Sequence, residues 1–254
     1  MGRDPVTLSR SDGPSPLDAS VGRDFAWCTL RTTDVPAARL FYEAVLGPRT
    51  LPMAVLPSQA AARGAVPHWL GHLPVGDVEA AAAAFVARGG ARLGPTRTGP
   101  DGPVAVVRDP GGAVVALVAL ESSGARTHLA RQGVVWCSLM SKDLPRARET
   151  YGGLMGWVPG EAVDLGELGT VHRFGVSAGQ SMRLSMMDVA GRPEVHAHWL
   201  FHFGVPAAAV AVSAVREAGG SVVGLFPLPD GAQVAVCEDP QGAAFALRQP
   251  PPAR

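Results

Sequence analysis

The mostly apolar run Phe25–Arg31, FAWCTLR, gives way to a different pattern, in which Ala38, Phe41, Tyr42, Val45 and Leu46 recur at intervals of three and four. The first favours a strand and the second predicts an amphipathic helix. Thr32-Thr33-Asp34 with Pro36 just beyond reads as its cap and first turn, and Gly47 as its stop. The same pattern returns from Val134 to Gly156, VVWCSLMSKDLPRARETYGGLMG, about 109 positions on, with Trp136 over Trp27, Asp143 over Asp34 and Gly156 over Gly47. Fixed order at a fixed spacing marks a repeated structural unit.

A second unit follows each copy. HWLGHLPVGDVEAAAAAFVARGG from His68 predicts a strand to Val75 and a helix over Val78–Arg88 ended by Gly89-Gly90, then strands near Ala91, at Val104–Arg108 and at Val114–Leu120. Its counterpart, HWLFHFGVPAAAVAVSAVREAGG, begins at His198, with strands to Val205, at Val222–Phe226, at Val234–Glu238 and at Ala244–Arg248. RDPGG and EDPQG, from Arg108 and Glu238, read as the turns before the last strands. The copies differ in between. The second has about 41 residues between Gly156 and His198, enough for strands at Trp157–Val163, Val171–Ser177 and Met182–Met187; the first has about 20, enough for one or two. The expected fold is α+β, two domains of strand-helix-strand-strand-strand modules with the first domain shortened. Its parts are a flexible tail over 1–22, domains over 23–120 and 133–249, a polar linker over 121–132 and a tail over 250–254.

The 254 residues suit two domains of ordinary size. Net charge is zero and charged residues make up 17%, which gives no reason to expect nucleic acid or an anionic membrane as partner. Residues 1–22 hold no apolar core of signal type, and no later run is long enough to span a bilayer, so a cytoplasmic protein is expected. Cys28, Cys137 and Cys237 are odd in number, which argues against a disulfide framework. A small molecule is the expected partner. The shortened sheet leaves an edge that a homodimer would cover.

The repeated motifs W..L.T.D...A..FY...LG, W.....V.D...A......GG and DP.G resemble the glyoxalase/bleomycin-resistance family, the vicinal oxygen chelate superfamily, over residues 24–248. The LMGW of Leu154–Trp157 is similar to a two-domain subgroup named glyoxalase-like or, provisionally, hydroxylase. The resemblance implies mixed sheets curled into cups with helices outside. It also implies a divalent metal held in a cup by His and Glu, with open positions for vicinal oxygens of a substrate. Carried over residue by residue, the ligand slots fall on Trp27 and Trp136 in the first strand, Leu70 and Leu200 in the fifth, and Ala116 and Ala246 in the last. None of these side chains coordinates a hard or borderline cation. No metal and no other cofactor is therefore expected.

Strand parity predicts what lines the cups instead. Trp27, Thr29 and Arg31 face one, Trp136, Ser138 and Met140 the other, and Cys28 and Cys137 point away. With Leu70 and Leu200 go His68 and His72, and His198 and His202, the two ends of HWLxH. Two same-face residues four apart lie roughly 13 Å apart along a strand, too far to share an ion. Asp34, Asp77, Asp109, Asp143 and Asp239 read as caps and turns, His172, Arg173 and Arg183 as solvent-facing unless parity turns one into the cup, where an Arg could hold an anionic or carbonyl oxygen, and the methionines as apolar wall. No phosphate loop, Gly-x-Ser-x-Gly or Cys-x-x-Cys occurs.

The ligand is expected in the second cup, closed by the first domain or a second chain. Two functions fit. One is a metal-independent enzyme that rearranges, cyclises or dehydrates a polycyclic or aromatic, natural-product-like molecule. There His202 is general acid/base, His198 and Ser138 orient oxygens, and Trp136 stacks on the substrate. The other is a binding and sequestering protein of the antibiotic-resistance kind, using the same cup without chemistry.

Overall fold

The computed structural model describes residues 24–99, 102–119, 129–175 and 183–252. The 1–22 tail, most of the expected linker and the start of the strand placed at Met182 lie outside them. Repeat one runs β1 (Trp27–Thr32), α1 (Val35–Leu46), β2 (Met53–Val55), a helical turn α2 (Ser58–Ala61), β3 (His68–Val75), α3 (Val78–Ala87), β4 (Ala91–Arg92), β5 (Arg97–Gly99), β6 (Gly102–Arg108) and β7 (Val114–Ala119). A short α4 (Leu129–Gln132) follows, within the stretch read as linker. Repeat two runs β8 (Val134–Ser141), α5 (Leu144–Met155), β9 (Val158–Asp164), β10 (Thr170–Gly175), β11 (Leu184–Asp188), β12 (His198–Gly204), α6 (Ala208–Glu217), β13 (Ser221–Pro227), β14 (Gln233–Glu238) and β15 (Ala244–Gln249).

Each repeat folds one mixed sheet. In repeat two the order is β13-β14-β15-β12-β8-β11-β10-β9, and in repeat one β2-β1-β3-β7-β6-β4 with β5 on β6. The central joins agree: β1 and β8 run antiparallel to β3 and β12, which run parallel to β7 and β15. The three-residue β2 lies parallel to β1 as β11 lies parallel to β8, so it stands for the last strand of its module. Among the described residues, repeat one has no counterpart of β9 and β10. The short connection omitted the middle of the module and kept the strand that covers β1.

The repeated motifs are local devices. Asp34, Asp77 and Asp143 accept backbone N–H bonds from the first turns of α1, α3 and α5. At α6 the cap residue is Ala207, and Gln249 Oε1 at the end of β15 accepts from Ala208 N at 2.8 Å. The second glycine of each Gly-Gly permits close backbone approach. A Cβ on Gly90 would lie 2.6 Å from Arg108 O, and one on Gly220 2.8 Å from Glu238 O.

The backs of both sheets and helices α1, α3, α5 and α6 share one continuous core. Trp199 and Phe201 of β12 pack on Phe25, and Phe203 and Phe245 pack on Tyr42. Because the backs face this common core, the two inner faces look away from it. The described residues of repeat one therefore pack behind the second cup and do not close it, contrary to the sequence expectation.

Two buried relays tie the repeats together. Tyr42 donates to Asp239 (3.2 Å) and accepts from Trp69 Nε1 (3.0 Å); Tyr151 donates to Asp109 (3.0 Å) and accepts from Trp199 Nε1 (3.1 Å). Each tyrosine thus reaches the Asp-Pro turn of the other repeat, while the second carboxylate oxygen accepts N–H groups of its own turn. Gln132 of α4 adds a third tie, exchanging hydrogen bonds of 3.0 Å with Cys28 N and Cys28 O. The three cysteines are buried and free. Among the described residues no helix is long and apolar enough to cross a membrane.

Candidate functional site

The outward face of the second sheet brings together most of the residues that parity selected. Trp136 lies opposite His202, Ser138 opposite Leu200 and Met140 opposite His198 across β8 and β12, and Ala246 of β15 lies beside His202. His202 therefore occupies the centre of the three former ligand slots, with Trp136 on one side, Ala246 on the other and Leu200 two residues back on its own strand. Repeat one has the same row, Trp27, His72 and Ala116. The donor set does not fit the family's metal. Two of the four positions are apolar, one is an indole and the single imidazole has no second ligand; among the described residues no group of three His, Cys, Asp or Glu side chains is placed to hold an ion.

The imidazole is instead part of a hydroxyl chain. His202 Nε2 is 2.9 Å from Ser138 Oγ, Ser138 Oγ is 2.8 Å from Ser185 Oγ, and Trp136 Nε1 donates to Ser185 Oγ at 2.9 Å. Ser185 stands on β11 directly opposite Ser138. His202 is 5% exposed and its Nδ1 is buried without a partner, whichever tautomer the ring adopts. Burial, aided by the nearby Arg248 charge, pulls its pKa down to about 3. The ring is neutral at pH 7. In repeat one Thr29 Oγ1 is 3.2 Å from His72 Nε2, His72 Nδ1 is likewise unpartnered, and burial with Arg31 nearby brings the pKa to about 3.

The remaining candidates divide. Trp27 stacks on His72 with ring centroids 4.6 Å apart, whereas the Trp136 ring carries the guanidinium of Arg248 at 4.6 Å and that of Arg173 at 5.7 Å. The stacking place expected for a substrate on Trp136 is thus taken by the protein's own cations. His68 and His198 sit at the far ends of their strands, opposite Arg31 and Met140, with Nδ1 2.7 and 2.8 Å from the carbonyls of Val66 and His196. Burial holds the His198 pKa at about 4 and lowers that of His68. These two bond to the backbone and do not reach the hydroxyl chain. Leu70 is buried in the first cup, Leu200, Ala246 and Met140 in or against a small apolar cluster with Val234 and Val236 that walls the second.

Four functional candidates escaped the sequence reading: Ser185, Arg173, Arg248 and Asp230. Arg173 was read as solvent-facing, but it lies opposite Ser185 on the inner face, while His172 is opposite the core residue Met186. Arg248 is two residues past Ala246 on the same face, and parity carried that far would have found it. Asp230, on the turn between β13 and β14, contacts both arginines through one oxygen, Oδ2, at 3.4 and 3.5 Å.

A separate cleft of about 630 Å³ opens between the repeats beside Arg108, Gly111, Lys142 and His196. Lys142 Nζ there is engaged by the carbonyls of Val189 (3.0 Å) and Arg192 (2.5 Å). At the equivalent junction on the other side the Gln241 side chain bonds to Thr32, Thr33 and Asp34. Gly111 stands at the position that Gln241 holds in the other Asp-Pro turn.

No model of a known protein family matches the chain. CFP32 of Mycobacterium tuberculosis (strain CDC 1551 / Oshkosh), named provisionally as a glyoxylase, is 29% identical over 259 aligned positions that cover 89% of this chain and 94% of that one. A Mn(II)-bound glyoxalase from Novosphingobium aromaticivorans superposes with a TM-score of 0.57 at 13% identity, over 90% of this chain and 82% of its own. BphC, a halotolerant catechol dioxygenase, superposes with a TM-score of 0.60 at 16% identity, over 91% and 88%. With its paired modules, mixed sheets and outward cups, the chain has the fold of the glyoxalase, or vicinal oxygen chelate, superfamily.

Proposed function

We propose that the protein binds a small organic molecule in the second cup without a metal, and that the cup acts first by recognition. The observation that carries this reading is the inner face of repeat two. An apolar wall of Leu200, Val234 and Ala246 meets a floor of linked hydroxyls, an indole N–H and a neutral imidazole, with two arginines at its side. Apolar area with a few fixed polar groups is what small-molecule sites are made of. The imidazole suits hydrogen bonding better than proton transfer at pH 7: no carboxylate orients it, and Asp230, the acid beside the cup, is paired with Arg173 and Arg248. The free, buried cysteines accord with a reducing, cytoplasmic setting.

One observation favours catalysis as a second reading. Ser138 Oγ and His202 Nε2 at 2.9 Å have the separation at which imidazole exchanges a proton with a hydroxyl. A ligand carrying negative charge would stabilise the imidazolium and move its pKa toward neutrality.

The test is to extract and identify small molecules that co-purify with the protein, then measure affinity and turnover for the identified compound in wild type and in His202→Gln. Recognition predicts that the amide, which can still bond Ser138, keeps affinity within about threefold. Catalysis predicts product formation that this variant loses. A compound retained equally well after Leu200→Arg and Ser138→Ala would place binding outside the cup and refute the reading.

A further inference from the structure

Around Trp136, among the described residues, two arginines are held by one close carboxylate. Arg248, with its side chain 12% exposed, and Arg173, 25% exposed, share one oxygen of Asp230 at 3.5 and 3.4 Å, both long for charge-assisted bonds. The other oxygen, Oδ1, accepts from Ala232 N at 3.0 Å and is held by its own turn. Glu161 approaches Arg173 only at 3.9 Å and is 74% exposed, so solvent screens it. Burial lowers the Arg248 pKa, as expected of a cation with too little opposing charge around it. Among the described residues the two guanidiniums beside the apolar wall thus share one oxygen of Asp230, with only the solvent-screened Glu161 near Arg173 beyond it.

We propose that Asp230 is a stand-in for the acid group of the ligand: the second cup takes an apolar organic acid whose carboxylate displaces Asp230 and gives Arg173 and Arg248 one oxygen each. This inference rests on the reading that the second cup is the ligand site. An incoming carboxylate improves on Asp230 because both its oxygens are available, and planar guanidiniums are suited to bind them. Its apolar body would then lie on the partly exposed side chains over the apolar wall, Met140, Leu228 and Val236. Asp230 is placed to give way. It sits on a turn between Leu228 and Ala232 whose next residue, Gly231, has φ of 85°, and its departure leaves the backbone bond from Leu228 N to Ala232 O (2.8 Å) in place.

The experiment titrates 2-naphthoate and its uncharged counterpart 2-naphthamide into wild type, Asp230→Asn and Asp230→Asn/Arg248→Gln. It follows the part of the tryptophan fluorescence that Trp136→Phe removes. The expected result is that Asp230→Asn tightens 2-naphthoate about tenfold, leaves 2-naphthamide within twofold, and loses the gain when Arg248 is also replaced. Asp230→Ser gives the same result if the asparagine disturbs the turn. The inference is overturned if both probes bind with a Trp136-dependent signal and removing the Asp230 charge leaves 2-naphthoate unchanged, weakens it or tightens both probes alike. If neither probe gives such a signal in any variant, the cup reading itself fails, and this inference with it.

Discussion

Replacing Tyr151 by Phe removes one hydroxyl, leaves one buried donor without an acceptor and takes a donor from a buried carboxylate. Trp199 Nε1 loses its acceptor at 3.1 Å, and Asp109 Oδ2 loses a donor at 3.0 Å. All three residues are at most 2% exposed, so water cannot replace the bonds without rearrangement. A buried donor or acceptor left unpaired costs about 1–3 kcal/mol, more when charged, and the variant should lose about 2–4 kcal/mol. For a chain of this size that corresponds to a fall of roughly 4–16 °C in Tm, read by differential scanning calorimetry at pH 7.5. The deficit should depend on pH. Burial already raises the Asp109 carboxyl above its ordinary value and Tyr151 works against that shift, so the variant raises it further. The unfavourable charged form then adds to the loss at neutral pH, and the loss shrinks as pH falls through the raised value and the carboxyl takes up its proton in both proteins. Tyr42→Phe should lose a similar amount at pH 7.5, through the bonds to Trp69 and Asp239. A change under about 0.5 kcal/mol for either variant, typical of an exposed substitution, would refute the view that these relays fasten the two repeats.

The buried imidazoles predict a second pH effect. His72 and His202 at about 3 and His198 at about 4 lie below the ordinary 6.5, so the unfolded chain takes up their protons first; the stability they contribute is complete above 6.5 and is lost as pH falls toward 3–4. Between pH 6 and 5, His202→Gln should flatten the fall of unfolding free energy by about 1.2 kcal/mol in urea titrations, and an unchanged slope would contradict its neutral state. Gly90→Ala should destabilise by about 1–3 kcal/mol, because a Cβ there meets the backbone carbonyls of Arg108 and Phe85 at 2.6 and 2.9 Å; Gly94→Ala, where nothing lies within 4 Å, is the control. Equal Tm values for the two would remove the steric account of the repeated Gly-Gly.

Most of the fold was legible because its signals are local and occur twice. Periodicity placed the helices, and Asp34, Asp143 and Gly47 marked their ends. The length of the short connection allowed one strand or two, and it holds one together with the helical turn α2. The cup residues on β8 and β12 were legible through parity, since Trp136, Ser138, Leu200 and His202 share a face. What remained hidden depends on partners distant in sequence. Nothing near Ser185 announces that it completes a hydrogen-bond chain from another strand. Arg173 and His172 alternate on β10 and both are half-buried, so only the register with β11 decides which of the two enters the cup. Asp230 lies in a turn whose composition, Pro-Asp-Gly, already explains itself locally, which masks its contact with two arginines. The pKa of His202 was out of reach for the same reason, being set by burial that two neighbouring strands and Arg248 create together.

The central claim is that this chain uses the fold's cup without the fold's metal. The most direct measurement is the metal content of the purified protein by inductively coupled plasma mass spectrometry, with Mn, Ni, Zn and Fe(II) titrated against Tm alongside. The account predicts well under a tenth of an equivalent of any transition metal and no saturable rise in Tm, because His202 stands among Trp136, Leu200 and Ala246 without a second ligand. One equivalent of metal that is lost on His202→Ala would contradict it and return the cup to metal-assisted chemistry.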